Sequence, residues 1–142
     1  MKVRDVMSTA IVEIAADATC QDAAKLMRDH GVGILVVTHN GRVLEGVITD
    51  RDLVVRCLAL GGDPSKQRVG EYTDRHPATV DGDLELERAV QMMRNSRLHR
   101  LPVVVGGSHV VGLLSLDDVA VDVKHYLDAF LGVAGQYSRK AP

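Results

Sequence analysis

Two short segments determine how the rest of this chain is interpreted. The segment Gly46–Asp52 reads Gly-Val-Ile-Thr-Asp-Arg-Asp, and Gly112–Asp118, 66 residues later, reads Gly-Leu-Leu-Ser-Leu-Asp-Asp. In both, a glycine precedes an apolar run that ends in a hydroxyl residue, and an aspartate follows three positions after that residue. This pattern predicts a strand that leads directly into a helix, because a hydroxyl residue and an acid at this spacing are typical of a helix N-terminus.

The same offset of 66 residues relates most of the chain to itself. At this offset identical residues coincide, and the apolar pattern between them keeps its period. Because a unit of about 60 residues is only marginally stable alone, we expect the two copies to pack into one module with pseudo-two-fold symmetry. The identical pairs include Val3 and Val69, Asp17 and Asp83, Ala23 and Ala89, Met27 and Met93, Val37 and Val103, and Gly41 and Gly107.

Each copy carries strand and helix signals in the same order. In the first copy, Asp17 or Thr19 can cap a helix whose apolar face includes Met27 and His30. Asn40-Gly41 is a strong hairpin turn between two β-branched runs. The expected elements are a strand at 11–14, a helix after residue 19, strands at 34–37 and 43–49 and a helix at 50–60, followed in the second copy by a strand around residue 80, a helix at 84–93, strands at 101–105 and 110–115 and a helix at 116–131.

The predicted fold class is therefore α+β, with two β-α-β-β-α repeats packed as a pseudo-two-fold pair. Since each repeat has its own strands, we expect two sheets that pack against each other. The expected boundaries are 1–62 for the first repeat, 63–68 for a polar linker, 69–131 for the second repeat and 132–142 for a C-terminal tail.

The composition excludes two classes of nucleic-acid-binding protein. The 142 residues include 17 Lys plus Arg against 19 Asp plus Glu, which gives a net charge of −2. A general polyanion binder needs many cationic phosphate contacts. Three Tyr, one Phe and no Trp are too few for a base-stacking platform.

Membrane, metal and targeting signals are absent from the pattern as well. The longest uncharged stretch, 101–116, is shorter than the roughly 20 residues of a membrane span and is interrupted by Gly106-Gly107. No signal segment is evident, and we expect a cytoplasmic protein. Cys20 and Cys57 lack a metal spacing, so we expect no metal site and two semi-buried thiols.

The strand-to-helix segments permit two interpretations. In the first, Thr49 and Asp52 merely cap a helix. In the second, the helix N-terminus and the Thr49 hydroxyl bind a phosphate, and Asp52 accepts hydrogen bonds from ribose hydroxyls. Ser115 and Asp118 would act in the same way in the second copy. The glycine at the start of each segment would let a ligand or the neighbouring copy approach the backbone.

The two Gly-x-x-[Thr/Ser]-x-x-Asp segments, the Leu101-Pro102-Val103 run and the repeated architecture resemble a tandem pair of CBS domains, the family named after cystathionine β-synthase. The resemblance covers about residues 3–123. It implies a cleft between the repeats in which adenosine-type ligands such as AMP, ATP or S-adenosylmethionine bind at the Thr/Ser and Asp positions. It also implies a homodimer and no required cofactor.

The cations distinguish the two copies. Arg51 adds a positive charge where the second copy has Asp117, and an acid beside a phosphate is unfavourable, so we expect the better nucleotide site at Thr49 and Asp52. Arg97 and Arg100 belong to a basic cluster that also holds Arg94 and His99. This cluster either is a solvated helix end or supplies a cation to a ligand held by the other copy. We expect His30 and His99 to be partly buried.

The sequence favours a non-catalytic regulatory module that binds an adenosine-type ligand. The alternative is a structural dimer with an empty or vestigial cleft, which would act through a protein partner. The acids Asp117-Asp118 at a strand end are the feature closest to an enzyme site, but the chain has no phosphate-binding Gly-rich loop and no nucleophile–base pair. We therefore expect no catalytic residue, no nucleic-acid partner and no membrane partner.

Overall fold

The computed structural model describes residues 1–125 and 127–128. It has the mixed α+β architecture that the repeat predicts, whereas the expected tail at 132–142 and the end of the last helix lie outside the described residues. The elements are β1 (Glu13–Ile14), α1 (Cys20–His30), β2 (Ile34–His39), β3 (Val43–Thr49), α2 (an α-helical turn Asp50–Asp52 that continues as a π-helix over Leu53–Leu58), β4 (Val80–Asp81), α3 (Leu86–Ser96), β5 (Arg100–Val105), β6 (His109–Ser115) and α4 (116–125).

The six strands form one sheet in the order β1-β2-β3-β6-β5-β4. Our expectation of two separate sheets is wrong, because the two antiparallel hairpins join edge to edge. Val43 pairs with His109 across the junction, and the Val110 N–H donates to the Arg42 carbonyl at 2.9 Å. The two halves also share a small apolar cluster around Val36 and Val110, so side chains of each hairpin are buried against the other hairpin.

Local signals account for most element boundaries. Thr19 caps α1, and its hydroxyl accepts a hydrogen bond from the Asp22 N–H at 3.1 Å. Gly31 ends α1 in the left-handed conformation, with φ of 64°. Several expected boundaries are shifted. β1 is shorter than the run 11–14, α2 ends at Leu58 rather than at residue 60, and α3 runs from Leu86, after the cap at Glu85, to Ser96 rather than over 84–93. The strands β2, β5 and β6 are each one or two residues longer than expected.

The core of each half includes a residue from the start of the other repeat. Val3 is fully buried in the second half together with Leu101, and Val69 is fully buried in the first half together with Leu35. The leading segments of the two repeats, about residues 3–8 and 69–74, therefore cross over, and each packs on the opposite half of the molecule. We call them the crossing segments.

Backbone hydrogen bonds fix the crossing segments onto the third strand of the opposite half. The Ser8 N–H donates to the Leu113 carbonyl on β6 at 2.9 Å, and the Asp74 N–H donates to the Val47 carbonyl on β3 at 3.0 Å. Each contact is reciprocated by a second hydrogen bond in the other direction. The pseudo-symmetry of the sequence thus extends to the segments between the elements.

The histidines differ from the sequence prediction. His30 and His99 are exposed rather than partly buried. His30 is the last residue of α1, and the chain reverses at Gly31, so the next apolar contact with the core comes from Val32. Met27 lies in the core, as its position on the helix predicts.

The cysteines are fully buried rather than semi-buried. Cys20 at the start of α1 and Cys57 in α2 are free thiols in the core of the first half. The Cys57 thiol donates to the Gln67 side-chain oxygen at 3.1 Å. Burial, reinforced by Cys57, raises the pKa of the Cys20 thiol to about 11. At neutral pH the Cys20 thiol is therefore uncharged and packs in the core as an apolar group.

Candidate functional site

Thr49 stands at the junction between β3 and α2. Its hydroxyl accepts a hydrogen bond from the Asp52 N–H at 3.1 Å, and the Asp52 carboxylate accepts one from the Thr49 N–H at 2.9 Å. This reciprocal capping box holds both side chains at the start of the helix. The N–H groups of Asp50, Arg51 and Asp52 are already bonded, to the Gly33 carbonyl, the Asp50 carboxylate and the Thr49 hydroxyl. What favours an anion at this position is therefore the positive end of the helix dipole.

Ser115 and Asp118 repeat the arrangement at the start of α4, with one difference. The Ser115 hydroxyl accepts from the Asp118 N–H at 3.1 Å and also donates to the Asp118 carboxylate at 2.7 Å. The proton of the Ser115 hydroxyl is therefore already donated to Asp118. Among the described residues the Thr49 hydroxyl donates to no partner, so its proton is available for a ligand.

A cavity of about 140 Å³ lies beside Thr49, between the two repeats. Four polar side chains line it, Thr49 from the first repeat and Asp74, His99 and Arg100 from the crossing segment and the second repeat. The rest of the wall is apolar, so the cavity combines an apolar interior with polar groups of both signs. The apolar residues are Ile34, Val47, Pro77, Ala78, Leu98 and Pro102.

Gly46 brings the crossing segment close enough to form one wall of this cavity. A Cβ atom at Gly46 would overlap the Asp74 carbonyl oxygen and would lie 2.5 Å from the Thr73 methyl group. Gly112 plays the same part in the second half, where a Cβ atom would lie 2.8 Å from the Ser8 carbonyl oxygen. The sequence suggested that either a ligand or the neighbouring copy approaches these glycines. In the structure, the neighbouring copy does.

The structure places the three predicted arginines in different surroundings. Arg100 lines the Thr49 cavity. Arg97 lines a second cavity, which shares Leu98 and His99 with the first. Arg51 lies in a shallow surface depression on α2, outside the set of side chains around Thr49. The structure thus brings Arg100 to Thr49 and leaves Arg51 facing solvent.

The two capping boxes differ in the charge of one neighbouring side chain. In the first repeat, the Arg56 guanidinium lies 3.7 Å from the Asp52 carboxylate. The equivalent of Arg56 in the second repeat is Asp122, which lines a surface depression together with Asp5 and Asp118. At this position the first repeat therefore has a cation where the second has an acid, and an acid near a phosphate opposes its binding.

Sequence reasoning missed the contribution of the crossing segment. Asp74, Pro77 and Ala78 line the Thr49 cavity, although the repeat pattern assigns them to the second copy. The available signal was the glycine at position 46, which indicates a close approach of another backbone. That signal does not say which segment approaches.

The part of the chain that the structure describes holds neither a cluster of metal-binding side chains nor a helix of membrane length. In residues 1–125 and 127–128, no three or more His, Cys, Asp and Glu side chains come together in an arrangement that could hold a metal ion. No helix within those residues is long and apolar enough to cross a membrane.

Comparison with known proteins relates the chain to stand-alone CBS proteins. The "CBS domain-containing protein YhcV" of Bacillus subtilis is 36% identical over 120 residues, which cover 84% of this chain and 84% of that protein. Hypoxic response protein 1 of Mycobacterium tuberculosis is 30% identical over 117 residues, covering 82% and 81%. A crystal structure of hypoxic response protein I with two coordinated zinc ions superimposes with a TM-score of 0.76 at 29% identity, covering 84% and 97%.

A further solved structure shares the fold at lower identity. The CBS domain pair of protein MJ0100, in complex with 5′-methylthioadenosine and S-adenosyl-L-methionine, is 22% identical with a TM-score of 0.78, and the match covers 89% of this chain and 98% of that one. The family model for the CBS domain matches residues 3–58 and 69–124. Two matches of this extent, on a fold that CBS pairs share, show that the chain belongs to the CBS domain family as a tandem pair.

Proposed function

We propose that this chain is a non-catalytic regulatory module that binds an adenosine-type ligand, such as AMP, ATP or S-adenosylmethionine, in the cavity beside Thr49. The observation that carries the proposal is the meeting of Thr49, at a helix N-terminus of one repeat, with Arg100 of the other repeat. A ligand that contacts both residues would tie the two repeats together. No cofactor is required, and the protein would act in the cytoplasm.

The cavity suits the base of such a ligand. Its volume of about 140 Å³ is below the roughly 300–1,000 Å³ of pockets that enclose whole ligands. A flat base therefore fits inside, while the sugar and phosphate would lie at the mouth. Apolar side chains such as Ile34, Ala78 and Pro102 offer the faces against which a base can pack.

The groups that surround Thr49 suit a ribose phosphate. One oxygen of the Asp52 carboxylate is held by the Thr49 N–H, and the other lies 3.7 Å from Arg56. That second oxygen can accept hydrogen bonds from ribose hydroxyls. The Thr49 hydroxyl can donate to a phosphate, and Arg100 supplies the positive charge.

Two further observations support this assignment. The fold that this chain shares with the MJ0100 pair accommodates adenosine compounds in that protein. In addition, the Thr49 site has a free hydroxyl proton and cationic neighbours, whereas Ser115 is internally bonded and Asp118 lies among acids. We therefore propose the first repeat as the stronger site and Ser115 and Asp118 as the weaker one.

Isothermal titration calorimetry with adenosine, AMP, ATP and S-adenosylmethionine tests the proposal. We expect one of them to bind with a Kd in the micromolar range, and Asp52→Asn and Arg100→Ala each to weaken it by about tenfold, since a hydrogen bond to a charged group contributes about 1.5–3 kcal/mol. Asp118→Asn is the matched control and should change the affinity less. Absence of binding by all four compounds, or a larger effect of Asp118→Asn, would contradict the proposal.

A second candidate function is a homodimer that acts through a protein partner. The helices α2 and α4 expose Val54, Val55 and Leu58 on one and Val121 and Val123 on the other, each about half accessible to solvent. Val55 and Val121 are equivalent under the repeat offset, so the two faces form a pseudo-symmetric apolar pair. Apolar surface of this kind is typical of an association site.

Sedimentation velocity tests the dimer. We expect the native protein to sediment as a dimer and the double variant Val55→Glu/Val121→Glu as a monomer. Val105, which is 52% exposed at the end of β5, provides the control, because Val105→Glu should leave the dimer intact. A native monomer at micromolar concentration would rule out the dimer.

A further inference from the structure

The cavity beside Thr49 adjoins a second cavity that is more cationic. The two share the side chains of Leu98 and His99, and the second is also lined by Arg94 and Arg97 at the C-terminal end of α3. Within the described residues, neither arginine is within ion-pairing distance of a carboxylate. Two unneutralised guanidinium groups therefore stand next to the proposed nucleotide site.

Arg97 has an unusual backbone conformation for its residue type. It is the C-cap of α3 in the left-handed region, with φ of 55°. The equivalent position in the first repeat is Gly31, with φ of 64°. Only glycine adopts this conformation without a steric penalty. An arginine at the less favourable position points to a use of its side chain, because strain of this kind is concentrated at functional sites.

Three of the four basic side chains of this cluster exist only in the second repeat, whereas Arg94 has an equivalent in Arg28. Where that repeat has Arg97, His99 and Arg100, the first has Gly31, Gly33 and an isoleucine. A requirement of the fold would be expected in both copies, since the elements around these positions are the same. The cationic cavity is therefore a specialisation of one repeat, and it shares Leu98 and His99 with the cavity that Thr49 of the other repeat lines.

We propose that this second cavity binds further phosphates of the ligand, so that the site selects nucleoside di- and triphosphates over monophosphates and uncharged nucleosides. The inference rests on the proposed function, because it requires the base and first phosphate to lie at Thr49 and Arg100. From there the phosphate chain extends past His99 to Arg94 and Arg97. Guanidinium groups pair with phosphate oxygens through two hydrogen bonds each.

Calorimetry with adenosine, AMP, ADP and ATP tests the inference on three proteins: the native chain, Arg94→Ala/Arg97→Gly, and Arg28→Ala. Arg28 is the equivalent of Arg94 in the first repeat and lies away from both cavities. We expect ATP to bind the native protein about tenfold more tightly than AMP. The double variant should lose that preference and keep its affinity for AMP, and Arg28→Ala should retain both.

The stability of the variants separates binding from folding. Because glycine suits the left-handed position, Arg97→Gly alone should raise Tm by about 2 °C while reducing the affinity for ATP. Equal affinities of the native protein for AMP and ATP, or a preference that survives in the double variant, would overturn the inference and leave the proposed function intact. Absence of binding by every adenosine compound would overturn both.

Discussion

Replacing Gly46 by alanine tests whether the approach of the crossing segment holds the module together. The new Cβ would overlap the Asp74 carbonyl oxygen and lie 2.9 Å from the carbonyl carbon of the same residue and 2.5 Å from the Thr73 methyl group. Carbon atoms pack comfortably at about 3.5–4.0 Å, so the segment would have to retreat by about 1 Å. Its neighbour is backbone rather than a flexible side chain, and no rotamer change can relieve the contact.

The size of the effect follows from what this retreat disrupts. The two hydrogen bonds between Val47 and Asp74, at 3.0 and 3.2 Å, would lengthen or break, and each contributes about 0.5–1.5 kcal/mol. Overpacking adds about 1–3 kcal/mol. We expect Gly46→Ala to lower the free energy of unfolding by about 3 kcal/mol, which corresponds to a fall in Tm of about 10 °C for a chain of this size.

Urea denaturation followed by circular dichroism measures the change. Gly82→Ala is the matched control, because the nearest atoms to a Cβ at that position are 3.7 Å away and its φ is ordinary. That variant should change the free energy of unfolding by less than about 0.5 kcal/mol. If Gly46→Ala were as mild as Gly82→Ala, the crossing segment would not be fixed on β3, and the wall of the cavity would be wrongly assigned.

Three further variants probe the core, the caps and the buried thiol. Val69→Ala should cost about 2 kcal/mol and shift the whole unfolding curve as one transition; two separate transitions in urea would show that the halves unfold independently. Thr49→Ala and Ser115→Ala should each cost about 1 kcal/mol, yet only the former should weaken the calorimetric Kd for AMP, and an equal loss in both would contradict the ranking of the sites. The raised pKa of Cys20, about 11 against an ordinary 9.0, favours the neutral buried thiol. The contribution of Cys20 to stability in urea should therefore be complete below pH 9 and fall by up to about 1.4 kcal/mol per pH unit between pH 9 and 11, so that Cys20→Ala loses stability less steeply over that range; identical profiles for the two proteins would contradict this assignment.

The sequence was informative wherever a single side chain determines the local backbone. The caps at Thr19 and Thr49 and the turn at Asn40 follow from short-range hydrogen bonding and from φ preferences. The order of the elements, and with it the fold class, follows from the offset of 66 residues. The caps and the turn depend on neighbours a few positions away, and the order of the elements depends on the repeat, so both can be found in the sequence itself.

What the sequence could not show depends on contacts between distant segments. The crossing of Val3 and Val69 into opposite cores leaves the apolar pattern unchanged, because a buried valine looks the same whichever core it enters. For the same reason the wall formed by Asp74 and Ala78 was missed. The merging of two sheets into one depends on the pair Val43 and His109, and no residue pattern predicts such an edge contact.

The exchange of leading segments bears on how such a protein can be recombined. A chimera cut at the repeat boundary, with 1–62 taken from a relative, would import a foreign Val3 equivalent into the native second core and leave the native Val69 in a foreign first core. The unit that carries a complete set of its own core residues is instead the middle of the chain, from about residue 9 to residue 74. The part of the chain that can be exchanged between relatives without mixing the two cores is therefore shifted from the sequence repeat by the length of one leading segment.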